Sequence, residues 1–379
     1  MPSSTSSSER LTAADRPGVA QPVPERPLPP RPWRAMGTMV ILLVVLAISA
    51  WEWRMRELGL RAGDFDDGAS LWAEQRRRVD AEATPVVLLG DSRLLFDTDL
   101  ARFQTLTGVR PLQLALAGTN ARPFLRNLAD DPAFHGLALV GIKELSYFRD
   151  GIGLSGDALE RFRYESPAQH ISFVLHGGLS RCLAFLDEEY RLSKLLLRLD
   201  PGLRPGAQSP YGDVWKLRST EMDRQTRMWS RVASDALLNA HARSVWMRRP
   251  AAQISDALIA RTVQETREAV AAIRARGGEV VFLRPPSAGE LRKKEEAELP
   301  RQRGWDALLR GAQVSGIHAD DDPPQSGLDL PELSHLSAAC ATVYTDAYVR
   351  AVTRVTERLA LRADAPAPLT AADCVATAR

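Results

Sequence analysis

Cysteine is scarce. Three residues in 379, Cys182, Cys340 and Cys374, lie far apart and without paired spacing. That pattern excludes a disulfide scaffold and a cysteine-based zinc site. An excess of one charge is missing as well: 49 basic residues face 47 acidic ones. No positive surplus exists to neutralise phosphates, so a general nucleic-acid binder is excluded. Lysine is nearly absent; all but five of the basic residues are arginine, a compositional bias that carries no functional weight. Hydrophobic residues are not lacking. At 45% of the chain they exclude disorder of the whole and supply a core for one large domain or two modest ones.

From Ala35 to Trp51 no residue is charged, and Met39 to Ala47 is almost purely aliphatic. With its tryptophan flanks the run covers about 18 residues, near the lower limit for crossing a hydrocarbon core. Trp33, Trp51 and Trp53 stand where aromatic belts lie, and Arg34 and Arg54 close the ends. A transmembrane signal anchor over 35–53 is therefore expected. A cleaved signal peptide is the rival, since Ala47-Ile48-Ser49 resembles a cleavage site; the long proline-rich segment before it favours an uncleaved anchor. Arginines flank both ends, so charge bias barely decides orientation. A single N-terminal anchor usually leaves a large C-terminal domain outside the cytoplasm, so the expected location is the inner (cytoplasmic) membrane with a periplasmic domain.

Residues 1–34, rich in serine and proline, read as a disordered tail, and the charged stretch 54–83 as a juxtamembrane spacer helix. At Thr84 the pattern changes. Apolar runs at Pro85–Gly90, Pro111–Ala117, Leu137–Ile142 and Glu279–Leu283 have the character of buried parallel strands. Helical patterns at Ala121–Leu128 and Ile254–Arg276 separate several of them, the second ending at Gly277-Gly278. This alternation predicts an α/β domain with a mainly parallel sheet over 84–362. Between about 150 and 250 no strand signal remains, and a mostly helical insertion is expected there. Its aromatics (Phe173, Phe185, Tyr190, Tyr211, Trp215) read as the insertion's own core before a carbohydrate groove. Residues 363–379 are expected to be a flexible tail.

The chemistry-bearing segment is Gly90-Asp91-Ser92-Arg93. A strand running into it places Ser92 at the carboxyl edge of the sheet, where ligands of open α/β folds bind. The serine could serve as nucleophile while its amide helps an oxyanion. Far along the chain, Glu332 and His335 are spaced so that a carboxylate can hold an imidazole in one tautomer. That is the orienting half of a serine–histidine–acid triad. The bland alternative is a helix cap at Ser334 or Ser337 before the pattern Ala338–Leu361.

At these residues the chain resembles the SGNH (GDSL-type) hydrolase superfamily: Gly90-Asp91-Ser92 at the first strand, Gly118 after the second, and an acid-x-x-His motif before the last helix. The resemblance covers 84–150 and 275–360. It implies a flavodoxin-like three-layer α/β/α sandwich, with Ser92 as nucleophile, His335 as general base, Glu332 as orienting acid and Gly118 as an oxyanion donor. It is nearest to membrane-anchored SGNH-like proteins that move or remove acyl groups during envelope and exopolysaccharide modification. The family's Gly-x-Asn-Asp block is absent; Gly141-Ile142-Lys143-Glu144 stands there. Asn120 is one replacement for the lost oxyanion asparagine. Asp329, Asp322 or no functional acid at all are the alternatives to Glu332.

Arg93 and Arg284 are candidate anion-binding groups for substrate, each with an ion pair as its alternative. The run Arg292–Glu298 reads as a solvated helix face, and His318 beside Asp320–Asp322 as an acidic loop; no metal and no cofactor are expected. The expected activity is an SGNH-type esterase or O-acyltransferase on acyl, above all acetyl, esters of an envelope or exported polysaccharide. The expected partners are that polysaccharide, a membrane-bound acyl donor or synthesis partner, and the membrane, with no nucleic acid. A degenerate SGNH domain acting as a binding subunit is the second reading, and a soluble intracellular esterase the third.

Overall fold

The unbroken apolar runs become strands buried on both faces. The computed structural model describes residues 31–83, 85–150, 153–198, 216–251, 253–321 and 327–376. Its strands are β1 (Val86–Leu89), β2 (Leu112–Gln113), β3 (Leu137–Gly141), β4 (Arg218–Thr220), β5 (Thr226–Met228), β6 (Glu279–Arg284) and β7 (Ser315–His318). Strands β4 and β5 form a small antiparallel hairpin; the other five make one parallel sheet in the order β2-β1-β3-β6-β7. Register runs from Val86 opposite Leu137 to Val140 opposite Phe282.

Helices cover both faces of this sheet. The first are α1 (Trp33–Glu57), α2 (Ala69–Ala81), α3 (Ser92–Phe96), α4 (Leu100–Thr107), α5 (Arg122–Asp130) and α6 (Glu144–Tyr147). The insertion contributes α7 (Gly153–Arg163), α8 (Pro167–Ser180), α9 (Leu192–Arg198), α10 (Ser230–Ser234) and α11 (Ala236–Met247). Then follow α12 (Asp256–Ala275), α13 (Gly289–Glu298), α14 (Trp305–Ala312), α15 (Ala338–Val352) and α16 (Ala371–Ala376). Because strand side chains alternate, Val86 and Leu88 of β1 join a core with Leu94, Phe103, Tyr344 and Val349. Val87 and Leu89 join the opposite core with Trp72, Phe124, Ile273 and Trp305.

Helix α1 belongs to a unit of its own up to Trp51; Glu52–Arg379 is a second, compact unit. Over its 25 residues α1 contains an 18-residue window of mean hydropathy 2.0, none of it buried, and is long and apolar enough to cross a membrane.

Several boundaries differ from expectation. The stretch 54–83 is not a free spacer. Trp72 is fully buried and donates Nε1 to the Leu114 carbonyl at 2.8 Å, and buried Arg76 reaches Asp131 at 2.5 Å and Asn127 Oδ1 at 2.8 Å. The described part of the supposed C-terminal tail is fixed as well. Cys374 is disulfide-bonded to Cys340 of α15, and Leu369 N donates to Asp346. Helix α15 stops at Val352 instead of Leu361. The following β-branched residues leave the helix, and Thr356 Oγ1 donates to Glu279 at 2.6 Å.

Strand β7 gave no apolar run because it is a half-exposed edge, Ser315-Gly316-Ile317-His318, paired with β6. In the insertion, the three-residue strands of the β4–β5 hairpin are too short to show a period. Phe185 and Tyr190 pack against the main core instead of forming a separate one, and Phe173 is half-buried. Tyr211, Trp215, Asp322, residues 1–30 and residues 377–379 lie outside the described residues.

Two glycines set where α3 lies. A Cβ at Gly90 would stand 2.9 Å from Leu94 Cβ, and one at Gly141 only 2.7 Å from the same atom. Their bare backbones let Leu94 settle over the carboxyl ends of β1 and β3. Gly141→Ala should therefore cost about 1–3 kcal/mol, the usual range for overpacking a well-filled core. Urea unfolding of the wild-type and variant proteins would read this as a lower midpoint.

Candidate active site

Asp91 and Ser92 occupy the turn from β1 into α3. Asp91 caps that helix, its side chain accepting Arg93 N at 3.0 Å, and it also takes the Ser146 hydroxyl at 3.4 Å. The following serine is left half-exposed at the carboxyl edge of β1.

His335 Nε2 is 2.8 Å from Ser92 Oγ, and His335 Nδ1 is 2.8 Å from Glu332 Oε1. An ionised carboxylate only accepts, so Nδ1 carries the proton and Nε2 is free to accept from the serine hydroxyl. The same Glu332 oxygen accepts the backbone N–H of His335 at 2.5 Å, and Oε2 accepts Trp246 Nε1. Burial pushes the Glu332 carboxyl up, but His335 and these donors outweigh it and hold the group below its ordinary value. The Phe96 ring stacks on the imidazole with centroids 4.5 Å apart, and Trp246 meets it edge-on.

The loop carrying Glu332 and His335 is held from several sides. Asn239 Nδ2 and Arg243 Nε and Nη2 of α11 all donate to the Pro331 carbonyl, at 2.6, 2.9 and 2.7 Å. The Leu333 carbonyl accepts Ala288 N at 2.9 Å, and Asp97 Oδ1 accepts Leu336 N at 2.9 Å. Between the two triad residues Leu333 has φ of 75°, a left-handed conformation that side chains disfavour. The acid and histidine thus share a strained, tightly tethered turn, not a helical one. Ser334 and Ser337 make no side-chain cap; the Ser334 hydroxyl instead accepts Arg93 Nε at 3.4 Å.

A cavity of about 780 Å³ opens over the triad; Ser92, His335, Gly118, Asn120, Lys143, Ser146 and Trp246 are among its lining residues. Gly118 has φ of 76°. The Asn120 side-chain oxygen accepts Arg122 N at 3.0 Å, which leaves its amide nitrogen as the donor available to the cavity.

Arg93 and Arg284 do not line the cavity, and this corrects their assignment as substrate-binding groups. Both are buried on the acidic pair Glu144 and Glu295. Arg93 donates to both Glu295 oxygens, and Arg284 reaches Glu295 at 3.2 Å and Glu144 at 3.3 Å. Glu295, expected on a solvated helix face, is therefore an interior anion, held well below its ordinary value by the two guanidiniums against the pull of burial. Asp329 does not approach the histidine; its backbone N–H donates to Cys340 Sγ at 3.1 Å. His318 is buried against Trp305, and burial pushes it down to about 3. Among the described residues no group of three or more His, Cys, Asp or Glu side chains gathers to hold a metal.

Four participants escaped the sequence reading: Lys143, Trp246, Asp97 and Glu295. Lys143 had a usable signal, since it follows the carboxyl end of β3, in the block where the SGNH resemblance would put an asparagine. It lines the cavity half-buried, and burial pushes its amine down to about 8, with Arg93 adding in the same direction. Trp246 had none, because only the folded insertion brings it to Glu332.

No family model matches the chain, and no curated protein or solved structure matches it.

Asp97 is fully buried, and among the described residues its Oδ2 has no hydrogen-bond partner. Burial raises its carboxyl well above the ordinary range. A group raised on folding lends stability below its unfolded pKa, about 3.9 for an aspartate, and loses it as pH rises. Asp97→Asn, always neutral, should consequently be more stable than wild type at pH 7. The difference should close as pH falls towards about 4, where both side chains are neutral. Urea midpoints measured at the two pH values would show it.

Proposed function

We propose that this chain is a membrane-anchored SGNH-like serine esterase or O-acyltransferase acting on acyl esters, above all acetyl esters, of an envelope or exported polysaccharide. The observation that carries the reading is the continuous chain Ser92–His335–Glu332, with both links at 2.8 Å. The sheet order β2-β1-β3-β6-β7 supports a flavodoxin-like sandwich. Counted within the sheet it reads 2-1-3-4-5, and Ser92 then lies at the switch between the first and third strands. The acyl and polysaccharide specificity rests on the resemblance alone.

In this mechanism His335 Nε2 takes the Ser92 proton as Oγ attacks the acyl carbonyl. The Glu332 carboxylate stabilises the imidazolium that forms. The resulting oxyanion meets the amides of Ser92 and Gly118, the Asn120 side chain and the Lys143 ammonium, a cation in place of the family's neutral amide donor. The proton returns from His335 to the leaving alkoxide, leaving an acyl-enzyme. Water then completes hydrolysis, or a sugar hydroxyl completes transfer.

An extracytoplasmic domain fits the Cys340–Cys374 disulfide, since such bonds persist in oxidising compartments. The departure at Lys143 is the observation that favours a degenerate binding subunit instead.

A fluorophosphonate probe separates the two readings. Full-length protein should label, Ser92→Ala should not, and His335→Ala should label more slowly by about 10²–10⁴-fold, the usual worth of a general base. Absence of labelling in folded wild-type protein would favour the binding subunit.

The pH profile tests Lys143. Hydrolysis of p-nitrophenyl acetate should fall above about pH 8 as the ammonium loses its proton. Lys143→Arg should move that limb to higher pH; an unmoved limb would remove Lys143 from the oxyanion site.

A further inference from the structure

A folded domain rarely leaves a continuous apolar stripe in water. In the unit that begins at Glu52, α8 exposes Ile171, Val174, Leu175 and Leu179, with Leu175 at 63%; α9 separately exposes Leu192 and Leu196. The α8 positions follow helical spacing and form one face. The opposite face is used: Gly177 and Ser180 are buried, and a Cβ on Gly177 would come 3.1 Å from Met222 Cε.

The end of α8 is tied to the residues that directly follow the apolar run of α1. The Glu52 carboxylate accepts the N–H groups of Ala184 and Phe185, both at 3.0 Å. Arg56 Nη2 reaches the Cys182 carbonyl at 3.3 Å, and Gly63 N donates to the Ser180 carbonyl at 2.7 Å. Glu52 sits between Trp51 and Trp53, residues of the type that marks the membrane–water boundary. The residues that close α8 are therefore held against Glu52, where the second unit begins. Arg181 and Lys194 flank it, as cations flank helices that lie in anionic lipid. The 14 residues of α8 make about 21 Å, too short to span a bilayer and suited to lying in its surface.

We propose that α8 and α9 rest in the interfacial layer of the bilayer that α1 enters, with this stripe in lipid. The inference rests on the anchored reading above. Lys194 of α9 also lines the cavity over Ser92, so docking brings the cavity mouth to the lipid surface. The acyl donor or acceptor is then one presented at the membrane.

The test uses full-length protein in phosphatidylcholine–phosphatidylglycerol vesicles, with Cys182→Ser removing the unpaired thiol. An environment-sensitive fluorophore is placed on Leu175→Cys or, separately, on Leu43→Cys. Lipids carrying a nitroxide near the headgroup should quench the position-175 probe several-fold more than lipids carrying it deep in the chain. The position-43 probe should show the reverse order. Quenching at 43 with none at 175 overturns the docking alone. No quenching at 43 overturns the anchor and the docking with it. A blue-shifted position-175 probe that no nitroxide lipid quenches means that protein covers the stripe, and overturns the lipid assignment.

Discussion

The Glu332 carboxylate is the point on which the site depends. It is fully buried and stays ionised only because His335 Nδ1, the His335 backbone N–H and Trp246 Nε1 converge on its two oxygens. Each donor comes from a different structural decision. The backbone N–H requires the strained turn at Leu333, the imidazole requires the loop to face Ser92, and the indole requires the insertion to fold back over the sheet. Helix α11 is thus part of the triad's support. It supplies Trp246 to the acid and gathers three donors on the carbonyl of the preceding residue, Pro331. Were the indole absent, one oxygen of this fully buried carboxylate would lose its charge-assisted donor, a costly loss for a buried charge.

Beneath the triad lies a second constraint, the packing of charge in the interior. Arg93, one residue past Ser92, and Arg284, at the end of β6, share Glu295, and Arg284 also holds Glu144 at the start of α6. These pairs lock α3, α6, α13 and β6 to one another at the carboxyl edge of the sheet. Breaking one partner of such a buried network typically costs about 3–5 kcal/mol, because a bare charge is left behind. The arginines therefore act on the site by fixing the helix that carries Ser92, not by meeting a substrate.

The parts of this arrangement that were legible in the sequence are those with a local pattern. Four of the five sheet strands announce themselves as apolar runs because both faces are buried. Gly90-Asp91-Ser92 and Glu332-x-x-His335 show their chemistry by residue type and spacing. What stayed hidden depends on contacts between distant segments. Strand β7 is an edge with no hydrophobic run. Glu295 sits in Lys-Lys-Glu-Glu, where nothing local marks one glutamate as interior. Trp246 reaches Glu332 across 86 positions of chain. The segment 54–83 looked like a solvated spacer because its Arg76 and Arg78 are as polar as any surface residue, yet Arg76 is buried by Asp80, Asn127 and Asp131.

The placement of charge also bears on the proposed ester chemistry. Asp97 lies near enough to Glu332 for the two carboxylates to disfavour each other's charge. Full burial disfavours charge on Asp97, whereas the donors on Glu332 favour its carboxylate form. Lys143, by contrast, lines the cavity without a carboxylate at hydrogen-bond distance among the described residues, while Arg93 behind it works against its protonation. An amine so placed gains most when a negative charge forms in front of it. The ground-state ester offers only a carbonyl dipole; the tetrahedral intermediate offers a full oxyanion. In the proposed reaction the lysine would thus bind the intermediate more strongly than the substrate, which is the condition for lowering a barrier instead of deepening a well.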